Sequence, residues 1–390
     1  MEKIRLGIIG IGNMGSEHCR LILSGQTPEI ALTCVADPRQ DRRDWAQQTL
    51  PAGTGIYADG MSLIRAHACD AVLIATPHYQ HPPLAIEAFK NGLHVMVEKP
   101  AGVYTLQVRE MNAEADRHPE LTFGMMFNQR TNCTYRKMHE LIHSGAIGDL
   151  KRVNWIITDW YRTQFYYDSG AWRATWAGEG GGVLLNQCPH QLDLVQWLVG
   201  LPCKVQGFCH EGKWHNIEVE DDVTAYLEFP GGATGVFIAS TGDLPGTNRL
   251  EIACDRGKVV CENGQLTLWR LPQSESAYYR RSASAYPHAE VQVETLPLDG
   301  ENPQHVGVLN AFAAHILHGT PLVADGAEGI RALMLSNAMH LSSWTGKPVS
   351  LPIDEGEFAR LLAEKRLHSR KKQVKEVTFA TDHSGTGRAK

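Results

Sequence analysis

The chain has 390 residues, 43% hydrophobic and 21% charged, with 37 lysines and arginines against 43 aspartates and glutamates and a net charge of −6. At roughly 150 residues per domain this length favours two globular domains, and the composition excludes a disordered or collagen-like chain. The mildly acidic balance gives no global electrostatic reason to bind nucleic acid or an anionic membrane, and no apolar run approaches the ~18 residues of a spanning helix. The apolar run at Leu6–Ile9 is too short for a signal peptide and leads into glycines. Nine cysteines lie scattered, with no Cys-x-x-Cys pair. Neither a disulfide framework nor a metal site is therefore expected, and reduced cysteines packed as small apolar residues suit the cytoplasm.

In chain order, Leu6–Ile9 is a short apolar run with glycines after it, as in a buried parallel strand. Helical texture follows from Gly12 to Leu23. Ala31–Ala36 is a second strand closed by Asp37-Pro38, Ala71–Ala75 a third stopped by Thr76-Pro77, and His94–Val97 a fourth stopped by Glu98-Lys99-Pro100. Pro82–Asn91 reads as a helix ending at Gly92, and Leu121–Gly124 as a last strand. Strand and helix in alternation predict a doubly wound parallel sheet over residues 1–124. Beyond Met125 a helix at Tyr135–His143 precedes longer alternating runs, Val205–Cys209, Val223–Phe229, Thr234–Ile238 and Leu250–Cys254. These predict an α+β domain over 125–363 with a large, mostly antiparallel open sheet, helical again over 301–346. Residues 364–390, which include Lys365, Arg366, Arg370, Lys371 and Lys372, read as a frayed basic and polar tail.

Gly10-Ile11-Gly12-Asn13-Met14-Gly15 is a G-x-G-x-x-G loop placed directly after a strand and at the start of a helix. In that context the glycines allow a tight turn, close approach of backbone to a pyrophosphate and close packing of helix on strand. The helix N-terminus offers N–H groups to the phosphates. Asp37, at the end of the next strand and ~20 residues further on, is placed to accept bonds from ribose hydroxyls and to repel a 2′-phosphate. NAD is expected, with NADP the lesser alternative because Arg39 stands close by. In a doubly wound sheet ligands lie beyond the carboxyl ends of the strands, so Lys99 falls near the reactive half of the cofactor. Lysine supplies a positive charge and a proton there.

Gly10–Gly15, Thr76-Pro77 with His81, Glu98-Lys99-Pro100, Trp172-Arg173, and Gly180-Gly181-Gly182 followed by His190 and Asp193 together resemble the glucose–fructose oxidoreductase, inositol dehydrogenase and rhizopine-catabolism (Gfo/Idh/MocA) family over roughly residues 3–350. The resemblance implies a Rossmann domain, a C-terminal domain whose open sheet makes a homo-oligomer (dimer or tetramer), and NAD(P)-dependent redox chemistry on a small sugar, glycoside or cyclitol. It implies Lys99 and His190 as the catalytic residues, with Thr76, Pro77, His81 and Glu98 bordering the cofactor. Asn186 stands where many members carry an aspartate four residues before the histidine, and is expected to orient substrate. Trp172 and Arg173 are expected near cofactor or substrate. Asn128, Arg130, Tyr161 and Tyr167 either line the pocket, Asn128 towards cofactor and the tyrosines towards substrate, or simply pack. Asp193 is either a second substrate-binding carboxylate or a structural helix residue, and His305 is a further candidate. The aromatic cluster Trp155–Trp176 suits the apolar faces of a pyranose, with oxidation of a glucoside ring, at carbon 3 among other positions, as one form of the reaction. Two other readings stand beside it: a redox-recycling glycosidase or lyase that keeps its NAD, and a sensor that has lost chemistry.

Overall fold

The structure is a computed structural model and describes residues 3–370 and Lys372. Six parallel strands, β1 (Ile4–Ile9), β2 (Ile30–Ala36), β3 (Gly55–Tyr57), β4 (Ala71–Ile74), β5 (His94–Val97) and β6 (Phe123–Met125), lie in the order β3-β2-β1-β4-β5-β6. This is the doubly wound order, whose reversal between β1 and β4 opens a crevice at the carboxyl ends. Side chains along a strand alternate between faces, and the packing follows. Ile4, Leu6 and Ile8 join one core with Leu73 and Met96, while Ile9 joins the other with Val72, Ile74 and Val95.

The first core is closed by the helix Asn13–Leu23 and, unexpectedly, by the helix Gln304–His318, whose Val308, Leu309, Phe312 and Ala313 pack there. The helical stretch expected over 301–346 is thus two helices serving two sheets. Gly319, at φ 70°, ends the first, and the second, Gly329–Thr345, lies against the larger sheet. The boundary expected after residue 124 falls inside β6, because Met125 still pairs with Val97.

The larger sheet has nine strands: β7 (Leu150–Ile157), β8 (Lys204–Glu211), β9 (Glu220–Glu228), β10 (Thr234–Ser240), β11 (Asn248–Cys254), β12 (Gly257–Glu262), β13 (Gln265–Arg270), β14 (Gln292–Thr295) and β15 (Val349–Ser350). Its order is β14-β13-β12-β11-β7-β10-β9-β8-β15. Every neighbouring pair is antiparallel except β7 with β10. On its open face Phe208 and Tyr226 are 52% and 41% exposed.

The tail expected from residue 364 begins inside a helix, Glu355–Leu367, which Asp354 caps and which buries Phe358 and Leu362. Ser369 and Arg370 then dock on Glu218, the Arg370 N–H donating at 2.8 Å. Lys372 Nζ donates to the Arg173 carbonyl at 3.1 Å. The rest of the expected tail, Lys371 and residues 373–390, lies outside the described residues. Among the described residues no helix is long and apolar enough to cross a membrane.

Candidate active site

The glycine loop closes the end of β1. Gly10 adopts φ 88°, and a Cβ there would meet the Ala75 carbonyl oxygen at 2.8 Å, so the loop and the end of β4 touch through backbone. A Cβ at Gly15 would strike the Gly10 carbonyl, whereas one at Gly12 would meet nothing within 4 Å. Open space therefore remains above Gly12, at the start of the helix Asn13–Leu23, whose first turn receives no side-chain cap and no acidic residue. Uncapped helix N–H groups facing open space fit a pyrophosphate. Asn13 and Met14 are half-buried at that helix start.

Asp37 is buried at the end of β2. It accepts the Ile11 N–H and the Arg39 N–H, both at 2.9 Å, so it fixes the loop while standing at the rim of the crevice. Arg39 is paired with Asp41 at 2.6 Å, Arg42 donates to the Ile11 carbonyl, and Arg43 donates to the Asp37 carbonyl. The residues present fit a dinucleotide.

Beyond β4, Thr76 and Pro77 lead to His81. Its two ring nitrogens lie 2.7 Å from the Thr76 carbonyl and 2.8 Å from the Pro100 carbonyl. His81 thereby clamps the end of β4 to the end of β5. Burial, opposed by those two carbonyls, lowers its pKa.

Glu98 points back into the domain, 2.6 Å from His18 Nε2, with its other oxygen taking the Lys99 N–H at 3.1 Å. Burial by itself would raise the Glu98 pKa, but the bond and charge of His18, with His305 and Lys99 adding to them, hold it down at about 2. His305 lies edge-on to His18 with centroids 5.4 Å apart. A carboxyl group whose folded pKa is depressed adds stability above its unfolded value, and that stability is lost as pH falls through the folded one. Glu98→Gln is therefore expected to cost up to about 3 kcal/mol at neutral pH. The difference from wild type should shrink from about pH 4 downward in urea unfolding.

Lys99 emerges from this turn half-buried, and Nζ donates to the Asn186 carbonyl at 2.9 Å. Burial lowers its pKa, against the opposing charges of Glu98 and Glu179. The loop it meets is built by Glu220, whose carboxylate accepts the N–H groups of Gly182 (2.9 Å) and Leu184 (3.0 Å). A Cβ at Gly182 would collide with the Glu220 backbone, which accounts for the last glycine of the triplet. Four residues beyond Asn186, His190 lies in the first turn of the helix Pro189–Val199 and is 5% exposed. The structure thus brings Lys99, from the first sheet, against the loop that leads into His190.

Asn186 is held on its far side by Glu179, which accepts from Nδ2. On its near side Tyr166 O–H donates to Oδ1 at 3.4 Å. Arg173 donates to the Tyr166 hydroxyl at 2.9 Å and its guanidinium lies 4.7 Å from the centroids of both the Tyr166 and Trp172 rings. Trp172 in turn stands edge-on to His78, with centroids 6.0 Å apart.

The remaining expected site residues make contacts of their own within the protein. Tyr167 is buried, with its hydroxyl 2.7 Å from Thr241 Oγ1 and its ring against His215. Its neighbour Tyr166 is the tyrosine that reaches Asn186. Tyr161 is half-buried, with its carbonyl taken by Arg162. Asn128 is fully buried and donates to Gln304 at 2.6 Å, tying the segment after β6 to the start of the helix Gln304–His318. Asp193 faces away into a buried ion pair with Arg130, at 2.7 and 2.9 Å. Glu179, His78 and Glu220 are the residues that sequence reasoning passed over, and Tyr166 entered it only as one member of the aromatic cluster. Glu179 did carry a signal, a lone acid inside a glycine-rich apolar run, but no spacing rule named its partner. Among the described residues no group of histidines, cysteines and acids could hold a metal ion.

Comparison with known proteins agrees with this architecture. Residues 4–124 match the family model described as an oxidoreductase family with an NAD-binding Rossmann fold, and residues 135–260 match the GFO/IDH/MocA C-terminal domain. The rhizopine catabolism protein MocA of Rhizobium meliloti is 29% identical over 202 residues, 51% of this chain and 58% of that protein. The scyllo-inositol 2-dehydrogenase (NAD(+)) of Bacillus subtilis is 28% identical over 61% of this chain and 68% of its own. The WlbA dehydrogenase of Chromobacterium violaceum, solved with NADH and UDP-GlcNAcA, superposes with a TM-score of 0.77 at 26% identity, covering 91% of this chain and 97% of that one. The two matched regions span more than half of this chain, which belongs to the Gfo/Idh/MocA oxidoreductases, with an NAD-binding Rossmann domain at its N-terminal end.

Proposed function

We propose that this oxidoreductase is a dehydrogenase that uses NAD, in preference to NADP, to oxidise a ring secondary alcohol of a pyranose, glycoside or cyclitol. The observation that carries the reading is the 2.9 Å contact of the Lys99 ammonium with the loop of Asn186 and His190, at the carboxyl edge of the Rossmann sheet. NAD, when bound, supplies the hydride acceptor. The chain's own residues do the rest. Lys99 presents a positive charge to the reacting oxygen. His190 takes the hydroxyl proton. Asn186 and Tyr166 hold a neighbouring hydroxyl, and Trp172 with Arg173 closes the aromatic side. Asp193, committed to Arg130, has no substrate role in this reading. The relatives support it, since the proteins named above include an inositol dehydrogenase and a dehydrogenase crystallised with a nucleotide sugar.

The test is a panel of inositols, pyranoses, glycosides and nucleotide-linked pyranoses, each with NAD and with NADP, read as NADH or NADPH absorbance. Accumulating NADH with a ring alcohol is the expected result. Aglycone release without net NADH would replace the dehydrogenase by a redox-recycling lyase, and tight NAD binding with no turnover of any compound would replace it by a sensor.

The reading extends to context. None of the nine cysteines is joined in a disulfide, which fits a reducing, cytoplasmic setting. The exposed Phe208 and Tyr226 on the open sheet support self-association. Sedimentation velocity should then show a species larger than the 43.2 kDa protomer, converted to protomer by Phe208→Glu.

A further inference from the structure

Glu179 is 2% exposed and lies in no sheet or helix, yet each of its polar groups is engaged. Its Oε1 accepts from the Asn186 side chain and its Oε2 accepts the Ala174 N–H at 2.6 Å. Its carbonyl accepts from His78 Nδ1 at 3.1 Å, and its N–H donates to the Thr175 carbonyl at 2.9 Å. A carboxylate can only accept, so its contact with Asn186 is made through the amide nitrogen. The amide oxygen is thereby turned towards Tyr166, where it can accept from a hydroxyl. The backbone carbonyl of the same Asn186 receives the Lys99 ammonium.

We propose that Glu179 is the positioning residue of the reaction: its buried carboxylate orients the Asn186 amide and supplies the negative charge that keeps the Lys99 ammonium in place. The inference rests on the dehydrogenase reading for its consequence in turnover, but not for its electrostatics. Two physical facts support it. A buried ammonium is costly unless an opposite charge stands close. Burial disfavours the charged form of Lys99; Glu98 and then Glu179 favour it, with Arg162 opposing and Cys188 adding to them, and His78 also faces it. Glu98 is shared with His18, to which it is bonded.

The carboxylate titrates in a mixed field. Burial raises the Glu179 pKa, Glu220 adds to the rise, and Arg173, the Ala174 N–H and Asn186 oppose it. Lys99, Lys372 and Tyr167 also face it, and the His78 ring touches its carbonyl. Protonation turns one accepting oxygen into a donor, so the carboxyl group can no longer accept from both the Asn186 amide and the Ala174 N–H, and the arrangement that orients Asn186 is lost. Because the pKa is raised, that loss begins at a higher pH than for an ordinary carboxyl group.

The experiment uses the full chain. Competitive labelling with acetic anhydride, read by mass spectrometry on the peptide that holds Lys99, gives the titration midpoint of Lys99 without cofactor or substrate. Glu179→Gln is expected to lower that midpoint by about one unit. An unchanged midpoint overturns the inference. With a substrate from the panel, Glu179→Gln should lower kcat/KM roughly ten- to a hundred-fold and remove the acid limb of its pH profile. A wild-type profile and rate in that variant also overturn it. If the wild-type chain oxidises nothing in the panel, the dehydrogenase reading fails while the labelling still decides the role of Glu179. Should Glu179→Gln not fold, Asn186→Asp places two carboxylates in contact, and such a pair holds a shared proton. A protonated-carboxyl infrared band at neutral pH is then expected in Asn186→Asp, and its absence overturns the contact.

Discussion

Replacing Lys99 by Met is expected to lower kcat by about 10²- to 10⁴-fold while NADH affinity, read by nicotinamide fluorescence, changes only a few-fold. The reason lies in geometry. Lys99 stands at the end of β5 with its ammonium on the Asn186 carbonyl, and burial already favours loss of its proton. If the charged form is the one that polarises the alcohol, the rate must fall on the basic side as Lys99 deprotonates. A lowered pKa moves that fall below the usual lysine range, ~10.4. In Lys99→Met this basic limb should vanish along with the rate. His190→Ala should cause a loss of similar size with a different signature, because it removes the proton acceptor and leaves the charge. When two groups act in one step their losses do not add, so the double variant should be little worse than either single one. Full activity in Lys99→Met or His190→Ala, with the protein folded, would refute the assignment.

The sequence was most readable where backbone constraints act locally. Gly10–Gly15 directly after an apolar strand leaves few alternatives, and the structure has the loop between β1 and the helix Asn13–Leu23, with Asp37 at the end of β2. Lys99 could be placed because a strand end in a parallel sheet has only one functional edge. Less of the substrate side was readable, since it is made of contacts between segments far apart in the chain. Tyr166 and Tyr167 are neighbours in a five-residue helix, Gln164–Asp168, and no periodicity in so short an element tells which one faces the site. Glu98 and His81, expected from the family pattern to border the cofactor, bond within the protein to His18 and to two carbonyls. Two of these partners, His18 and the Pro100 carbonyl, lie 80 and 19 residues away in the chain; the third, the Thr76 carbonyl, is 5 away. The helix Gln304–His318 reads as part of the second domain by position, and only its burial against Leu6, Ile8 and Met96 reveals that it completes the first.

Asp193 gives the second large effect, on stability. It lies three residues beyond His190, so a substrate role was open from spacing alone. The structure instead buries it at 1% exposure with both oxygens on Arg130, itself 4% exposed. Removing one member of a buried pair leaves an uncompensated charge, which costs about 3–5 kcal/mol. Asp193→Ala should fall at the lower end of that range, because Glu328 also pairs with Arg130 at 2.8 Å and retains part of the compensation. The Arg130 guanidinium lies 5.4 Å from the ring centroids of Phe127 and Trp197, so an apolar partner could pack in its place. Arg130→Met with Asp193→Leu should accordingly recover most of the loss, as buried pairs replaced by packed apolar residues commonly do. Urea unfolding measures both variants. Kinetics separate the alternatives: a structural Asp193 predicts that folded Asp193→Ala keeps KM within a few-fold of wild type. A large rise in KM with unchanged stability would instead make Asp193 a substrate ligand and require the Arg130 pair to open when substrate binds.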